Sequence, residues 1–171
     1  LAVVRSDVGG VDVTNAVRRT CTERGIDASA AEAEAAKEAT AVRRNPGTSG
    51  GSGTSWTLPD GTSFEACYDA VFAPPHAGVM GVSEVAFAAV VADAAAMGEI
   101  APVYHRVTVC GGASLADGFV ERVQDDIDGL LAAGPDAGGS FAPHWSPPLR
   151  FPTRPVRVIA PPERGDSEWI G

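Results

Sequence analysis

The chain has 171 residues, of which 44% are hydrophobic and 20% are charged, and 13 Lys and Arg against 22 Asp and Glu give a formal net charge of -9. This acidic balance speaks against a nucleic-acid binder, because contact with phosphates needs clustered basic residues that the sequence does not supply. The longest apolar stretch, Val85 to Met97, is interrupted by Asp93 and is shorter than the roughly 20 residues of a bilayer span, so a membrane protein is not expected. The length predicts one domain.

The cysteines and the chain ends indicate the redox compartment and the extent of the protein. Cys21, Cys67 and Cys110 are odd in number and widely spaced, without a CxxC pair. Neither a disulfide framework nor a zinc site is therefore predicted, and a reducing compartment is favoured. The sequence begins at Leu1 instead of Met and stops after an apolar pair, from which we expect a piece of a longer protein.

The first 44 residues predict strands followed by two helices. Leu1 to Val13 alternates around a pair of glycines, which favours a strand, a tight turn and a second short strand. Residues Ala16 to Arg24 and Ala30 to Arg44 are rich in Ala, Glu, Lys and Arg, so we expect two helices with a break at Gly25.

The middle of the chain predicts a loop, a turn and a long helix. Residues 45–55 are a Gly, Ser and Thr run without a side chain able to anchor a core, which is typical of a flexible loop. The LPDG tetrapeptide at 58–61 favours a turn that joins two strands. Ser83 and Glu84 open a helix that runs to about Met97.

The last third predicts an α/β layout. Tyr104 to Cys110 alternates as a strand does and leads directly into a glycine-rich turn, after which Phe119 to Leu131 has the spacing of an amphipathic helix. The proline-rich residues 134–155 are expected to be an exposed insertion before a strand at Val156 to Ile159. Sites in such a layout usually lie at the carboxyl ends of the strands.

The candidate site from the residues alone is the turn CGGASLADG at 110–118. It joins a predicted strand to a predicted helix amino terminus, where exposed N–H groups and the helix dipole favour an anion or a nucleotide. A plain tight turn is the alternative, because the turn is neither a GxGxxG motif nor a Walker loop. No catalytic residues and no metal ligands are predicted: the acids at 125, 126 and 128 suggest a solvated helix face, and the three histidines lack ligand spacing.

A family resemblance appears at the end of the chain. The sequence IAPPERGDSEWIG at 159–171 resembles the IAPPER-x-x-S-x-WIGG segment near the end of actin. The other matches, in the same order along both sequences, are RSDVGGVDVT at 5–14 to RLDLAGRDLT, TERG at 22–25, LPDG at 58–61, AVFAP at 70–74 to ALFQP, and VCGGAS at 109–114 to LSGGTT.

The resemblance implies a fold. Actin and actin-related proteins fold as two ribonuclease-H-like α/β lobes around ATP and a divalent cation. The matches cover nearly the whole chain and correspond to the second half of that family, namely most of the larger, inner pair of subdomains. They imply that residues 1–171 form a partial actin-like lobe.

The resemblance also implies a cofactor site for ATP or ADP with Mg²⁺. The family's adenosine contacts fall on Gly111, Gly112 and Ala113, and Lys37 with Glu38 matches the helix pair that touches ribose and base.

Several departures from the family pattern affect this site. Ala113 stands where the family has threonine, Ala116 where it has tyrosine, and Gly165 where it has the lysine after PPER. Little sequence lies between Gly61 and Phe64, so the strand expected after LPDG is missing. The phosphate-binding hairpins and the residues that position the attacking water belong to the other half of the family's chain, so ATPase activity is expected only of a complete protein.

Three functions follow as expectations. The first is a divergent actin-related structural subunit of a cytoskeletal, ciliary or chromatin-remodelling assembly, with protein partners and a location in cytoplasm, cilium axoneme or nucleus. The second is a nucleotide-free interaction module. The third is a sugar kinase or chaperone-type ATPase of the same superfamily, against which the IAPPER and WIG segments speak.

Overall fold

The computed structural model describes residues 3–40, 56–57, 61, 63–64, 68–76, 78–97, 106–133 and 155–163. At residues 56, 63, 64 and 93–97 it describes the backbone only. The predicted loop at 45–55 and all but the last residue of the predicted insertion at 134–155 lie outside these ranges. The elements in chain order are α1 (Gly10–Glu23), α2 (Ala30–Ala39), β1 (Trp56–Thr57), β2 (Ser63–Phe64), α3 (Asp69–Phe72), α4 (Val82–Met97), β3 (Arg106–Thr108), a 3-10 turn (Gly112–Leu115), α5 (Phe119–Ala133) and β4 (Arg157–Ile159).

Helix α1 begins earlier than predicted: the helix expected from Ala16 is confirmed, but Gly10 to Val13 are helical where a turn and a second short strand were expected, so that prediction is wrong. The helix begins at Gly10 because Asp12 caps it: its carboxylate accepts the N–H of Gly9 at 2.8 Å, and its own N–H donates to the Gly9 carbonyl at 3.0 Å. Val11 and Val13 would share one face of a strand. In the helix Val13 is fully buried and Val11 is 72% exposed.

Helix α2 starts where the sequence predicts and packs on α1. Ser29 caps it, since its hydroxyl accepts the Glu32 N–H at 3.2 Å while the Glu32 carboxylate accepts the Ser29 N–H at 2.8 Å. The helix ends at Ala39, before the predicted end, and residues 41–44 lie outside the described ranges. Small side chains let the two helices approach closely, and the shared cluster consists of Val17, Cys21, Ala28, Ala33 and Ala36, with Ile26 at its edge.

The LPDG region joins two strands, as predicted. Strands β1 and β2 pair antiparallel with Trp56 opposite Phe64, and Gly61 between them has a φ of 86°. The expectation that no strand follows LPDG is wrong, because β2 begins at Ser63.

Helices α4 and α5 confirm the sequence prediction and supply six of the eleven buried residues of the main core. Helix α4 begins after Gly81, whose N–H donates to the Glu84 carboxylate at 2.9 Å. Helix α5 starts at Phe119 as predicted and continues to Ala133. The buried members of this core are Val13, Tyr68, Val71, Phe72, Phe87, Val90, Val91, Phe119, Val123, Ile127 and Val156.

A buried arginine joins three elements within this core. The Arg122 side chain of α5 is 6% exposed, and its Nε lies 2.9 Å from Asp126 Oδ1 while its guanidinium stacks 4.8 Å from the centroid of the Phe72 ring. Asp126 also accepts a hydrogen bond from the Ser83 hydroxyl of α4 at 2.8 Å. The prediction of a solvated face is therefore wrong for Asp126, which holds α4 and α5 together.

Strands β3 and β4 form a parallel pair, with Val107 opposite Val158. Both of these valines pack against the main core, while their neighbours along the strands are exposed. Helices beside a parallel strand pair fit the predicted α/β class. They are compatible with many α/β folds, so the actin-like lobe stays a prediction. In the described part of the chain no helix is both long and apolar enough to cross a membrane.

Candidate functional site

A cleft of about 680 Å³ opens between the start of α1, the end of α2 and the turn after β3. Its volume lies in the range of pockets that hold small molecules, roughly 300–1,000 Å³. Its lining residues are Gly10, Val11, Glu34, Lys37, Glu38, Ala39, Thr40, Tyr68, Gly112, Ala113, Leu115, Ala116 and Asp117.

Four of the five predicted site residues line this one cleft. Lys37 and Glu38 come from α2, whereas Gly112 and Ala113 come from the turn after β3, far along the chain. Gly111 precedes this turn and is not a lining residue. The fold thus brings together two segments that the sequence matched separately to the nucleotide contacts of the actin family.

The turn after β3 lies between a strand and a helix, as predicted, and contains a short 3-10 turn that the sequence did not indicate. Gly111 has a φ of 94°, a value that favours glycine, and the next four residues form a 3-10 turn. Ser114 fixes its shape, because the buried hydroxyl donates to the Gly111 carbonyl at 2.7 Å. Helix α5 begins at Phe119, as predicted, and Gly111 and Gly112 lie several residues before its amino terminus. The argument for an anion from a helix dipole therefore loses its support.

The α2 wall of the cleft contains a lysine whose positive charge is balanced by a neighbouring carboxylate. Lys37 Nζ is paired with the Glu34 carboxylate, and its side chain is only 14% exposed. Glu34 also accepts a hydrogen bond from the Thr14 hydroxyl of α1 at 2.7 Å. The hydrogen bonds from Lys37 and then from Thr14 lower the pKa of Glu34. This carboxylate is therefore ionised at neutral pH and neutralises the lysine.

Tyr68 lies at the back of the cleft. Its hydroxyl donates to the backbone carbonyl of Lys37 at 3.2 Å, and the residue is 4% exposed. Burial, and then the negative charges of Glu34 and Glu38, raise the pKa of Tyr68, so the phenol is neutral over the physiological range.

The lining favours a neutral, hydroxyl-bearing ligand with an apolar ring. Three carboxylates, on Glu34, Glu38 and Asp117, face one ammonium, on Lys37, so phosphate is disfavoured inside the cleft. Carboxylate oxygens accept hydrogen bonds from hydroxyl groups. Val11 and Leu115 are 72% and 51% exposed and offer apolar surface at the same cleft.

The described residues contain no group of three His, Cys, Asp or Glu side chains that could hold a metal ion. Of the three histidines, His76 is exposed, and His105 and His144 lie outside the described ranges. Asp12, one of the two acids near the first predicted turn, caps α1, and the other, Asp7, pairs with Arg5 at 3.2 Å on the surface. These contacts give no support to a hydrolytic centre.

Sequence reasoning missed several lining residues. Gly10 was assigned to a tight turn and Val11 to a strand, so no position beside α2 was expected for them. Tyr68 lines the cleft, and Thr14 bonds to the lining residue Glu34, through tertiary packing for which the sequence carries no local signal. Leu115 and Asp117 belong to the same predicted turn as the glycine pair, and that proximity could have included them.

Comparison of the sequence with known protein families finds no family whose model matches this chain.

Proposed function

We propose that the chain is part of a divergent actin-related structural subunit, and that the cleft holds the adenosine portion of ATP or ADP when the other half of such a protein is present. One observation carries the proposal. Lys37 and Glu38, and Gly112 and Ala113, match nucleotide contacts of the actin family in two separate motifs and line a single cleft. Nothing in local sequence spacing requires these two segments to meet.

The chemistry of the lining supports a nucleoside more than a phosphate. The carboxylates of Glu38 and Asp117 are suited to accept hydrogen bonds from ribose hydroxyls. Gly112 has nothing within 4 Å of the position of a Cβ atom, which leaves open space for a base. Leu115 and Val11 offer apolar surface for the ring. With net negative charge in the cleft, the phosphates and Mg²⁺ would have to be held by residues elsewhere, and no hydrolysis is proposed for these 171 residues.

The test is to fill the cleft without straining the backbone. Gly112→Phe suits this purpose because Gly112 has no positive φ and its Cβ position meets open space, whereas a substitution at Gly111, with a φ of 94°, would strain the turn. Gly129→Phe is the matched control, since Gly129 lies exposed on α5 outside the cleft lining and its Cβ position is also open.

The measurement is the amount of ATP and ADP released by acid from the protein isolated from its source, in its complete form and with the subunits that accompany it. We expect close to stoichiometric nucleotide in the wild type and in Gly129→Phe, and loss of nucleotide in Gly112→Phe. Equal nucleotide in both variants would overturn the adenosine assignment. Co-isolation of cytoskeletal, axonemal or chromatin-remodelling subunits supports the structural role, and their absence contradicts it.

A nucleotide-free interaction module is the second candidate. It is favoured by the pairing of Lys37 with Glu34, which removes a free cation from the cleft, and by the exposed side chains of Val11 and Leu115. The complete wild-type protein would then release no nucleotide, and Gly112→Phe would lower the yield of a co-isolated protein subunit instead.

A further inference from the structure

The β3–β4 pair has one face on the core and one exposed face. The central valine of each strand packs against the main core, and the residues before and after it alternate to the opposite face. That face carries two rows of side chains, with Arg106 opposite Arg157 and Thr108 opposite Ile159. All four residues are exposed, Ile159 by 38%. A pair of cations and an apolar side chain therefore lie next to each other on the surface.

The row of two arginines is unfavourable on its own. Residues in register on neighbouring strands lie only about 4.8 Å apart, and like charges directly opposite each other destabilise a strand pair. Neither Arg106 nor Arg157 forms an ion pair with a residue that the structure describes, although the chain carries a net charge of -9. The buried Arg122, in contrast, pairs with Asp126 and Asp69. Two uncompensated guanidinium groups at one place favour an anion that a ligand supplies.

The backbone beneath the two arginines is fixed by hydrogen bonds. The Val109 N–H donates to the Ile159 carbonyl at 3.0 Å, which continues the pairing of the strands. The Gln124 side chain bonds to the backbone on either side of Arg157, at 2.9 and 2.8 Å. A ligand therefore meets strands that are already in position, and only the arginine side chains lose freedom when it binds.

A phosphate monoester fits the arginine pair better than a carboxylate does. It carries a charge of about -1.5 to -2 at pH 7 and three acceptor oxygens, so one group can serve two guanidinium forks. A carboxylate has a single charge and two oxygens, which one guanidinium satisfies. Nucleic acids and anionic membranes are repelled by the net charge of -9, whereas a single phosphate interacts mainly with the two cations beside it.

We propose that Arg106 and Arg157 bind the phosphate group of a phosphoserine or phosphothreonine in another protein. The row of Thr108 and Ile159 lies about 6.6 Å further along the strands, which is also the distance between alternate side chains of an extended segment. An apolar side chain two positions from the phosphorylated residue therefore packs on Ile159 while the phosphate lies between the arginines. The contact is made through side chains. It is independent of the nucleotide proposal, because none of these four residues lines the cleft.

The experiment uses the protein in its complete form and three fluorescent peptides that differ at one position. That position is phosphoserine, serine or glutamate, with a leucine two residues before it and another two residues after it. We expect saturable binding of the phosphopeptide in an anisotropy titration, and binding at least about tenfold weaker for the serine and glutamate peptides. Inorganic phosphate should displace the phosphopeptide only at a much higher concentration than the unlabelled phosphopeptide, because it lacks the apolar contact.

Variants of the arginines test the assignment. Arg106→Gln and Arg157→Gln should each weaken phosphopeptide binding about tenfold, and the double variant should abolish it. Folding should be retained, because the loss of a charge relieves repulsion across the strands, and an unchanged or higher unfolding temperature checks this. The matched control is Arg18→Gln with Arg19→Gln, two exposed residues of α1 that do not face each other, which should bind the phosphopeptide like the wild type.

A variant at Ile159 tests the apolar half of the site. Ile159→Thr keeps a β-branched residue in the strand and removes one carbon's length of apolar surface, so it should weaken phosphopeptide binding about fourfold.

The proposal is wrong if the phosphorylated and unmodified peptides bind equally, if the two arginine variants bind like the wild type, or if the α1 control loses as much binding as they do. It is also wrong if inorganic phosphate competes as well as the phosphopeptide, which would make a free ion the ligand. Tighter binding to vesicles that contain a phosphoinositide would identify a lipid head group as the source of the phosphate and would overturn the assignment to a protein.

Discussion

The Tyr68 hydroxyl donates a hydrogen bond to the backbone carbonyl of Lys37 across 3.2 Å. Lys37 lies in the last turn of α2, and its carbonyl also accepts the Thr40 N–H at 3.4 Å and the Thr40 hydroxyl at 3.1 Å. Tyr68 directly precedes α3 and is a member of the main core. The Tyr68 hydroxyl therefore links the end of α2, and with it the α2 wall of the cleft, to the core on which the rest of the site is built.

Tyr68→Phe should reduce stability through this one bond. The substitution keeps the buried ring and removes one of the donors to the Lys37 carbonyl, which still accepts from Thr40, so the free energy of unfolding should fall by about 1 kcal/mol or less. Tyr68→Ala removes the ring as well and should cost about 3–5 kcal/mol. Urea denaturation of the wild type and both variants measures these differences. A Phe variant as stable as the wild type would show that the bond contributes nothing to the position of α2.

The raised pKa of Tyr68 predicts a loss of stability in alkali. The native state holds the phenol proton more tightly than the unfolded state, whose tyrosine has the ordinary pKa of 10.0. The contribution is complete below that pKa and is lost as the pH rises through the higher pKa of the folded state. Unfolding free energies between about pH 9 and pH 11 should fall less steeply in Tyr68→Phe than in the wild type. Parallel slopes would contradict the assignment.

The helices that the sequence predicts well are those whose caps and periodicity agree. Glu84 caps α4 through the Gly81 N–H, and Phe119, Val123 and Ile127 of α5 are buried at helical spacing. The prediction of strands at the start of the chain failed because Val11 and Val13 fit the two-residue period of a strand as well as they fit a helix. Only the capping contact between Gly9 and Asp12 decides between the two, and an acid three residues after a glycine is a weak signal in sequence.

The site was less accessible to sequence reasoning than the helices. The approach of Lys37 to Gly112 depends on how α1, α2 and the β3 turn pack, which no spacing rule supplies, and it could be expected only from family resemblance. The 3-10 turn was missed because Ser114 shapes it through its own buried hydroxyl. Thr14 of α1 takes part only through its hydrogen bond to Glu34 of α2, and sequence spacing does not predict such a contact between two helices.

The side chain of Gln124 bonds to the edge of β4 that faces away from β3: its Nε2 donates to the Val156 carbonyl and its Oε1 accepts the Val158 N–H. Gln124→Met tests what these two bonds contribute. The methionine fills a similar volume but leaves the Val158 N–H and the Val156 carbonyl unpaired, which should cost about 1–3 kcal/mol and speed amide exchange at Val158. Glu121→Met is the control on the exposed face of the same helix, where only the favourable charge in the first turn is lost, at about 1 kcal/mol or less. Equal exchange at Val158 in the wild type and Gln124→Met would show that the amide does not close this edge.

Gly81 and Gly129 predict opposite effects for the same added methyl group. A Cβ at Gly81 would overlap the carbonyl oxygen of Phe72, and the backbone of Gly81 is held at the start of α4 by the Glu84 carboxylate. The clash can be relieved only by moving α3 away from α4, so Gly81→Ala should lose about 3 kcal/mol of unfolding free energy.

Gly129 lies within α5 on an exposed face, and a Cβ there meets nothing within 4 Å. Gly129→Ala should therefore gain about 0.5–1 kcal/mol, because alanine loses less backbone entropy in a helix than glycine does. Thermal and urea unfolding of the two variants side by side measure the contrast. If Gly81→Ala were as stable as the wild type, the close approach of α3 to the start of α4 would be wrong, and with it the packing that places Tyr68 behind the cleft.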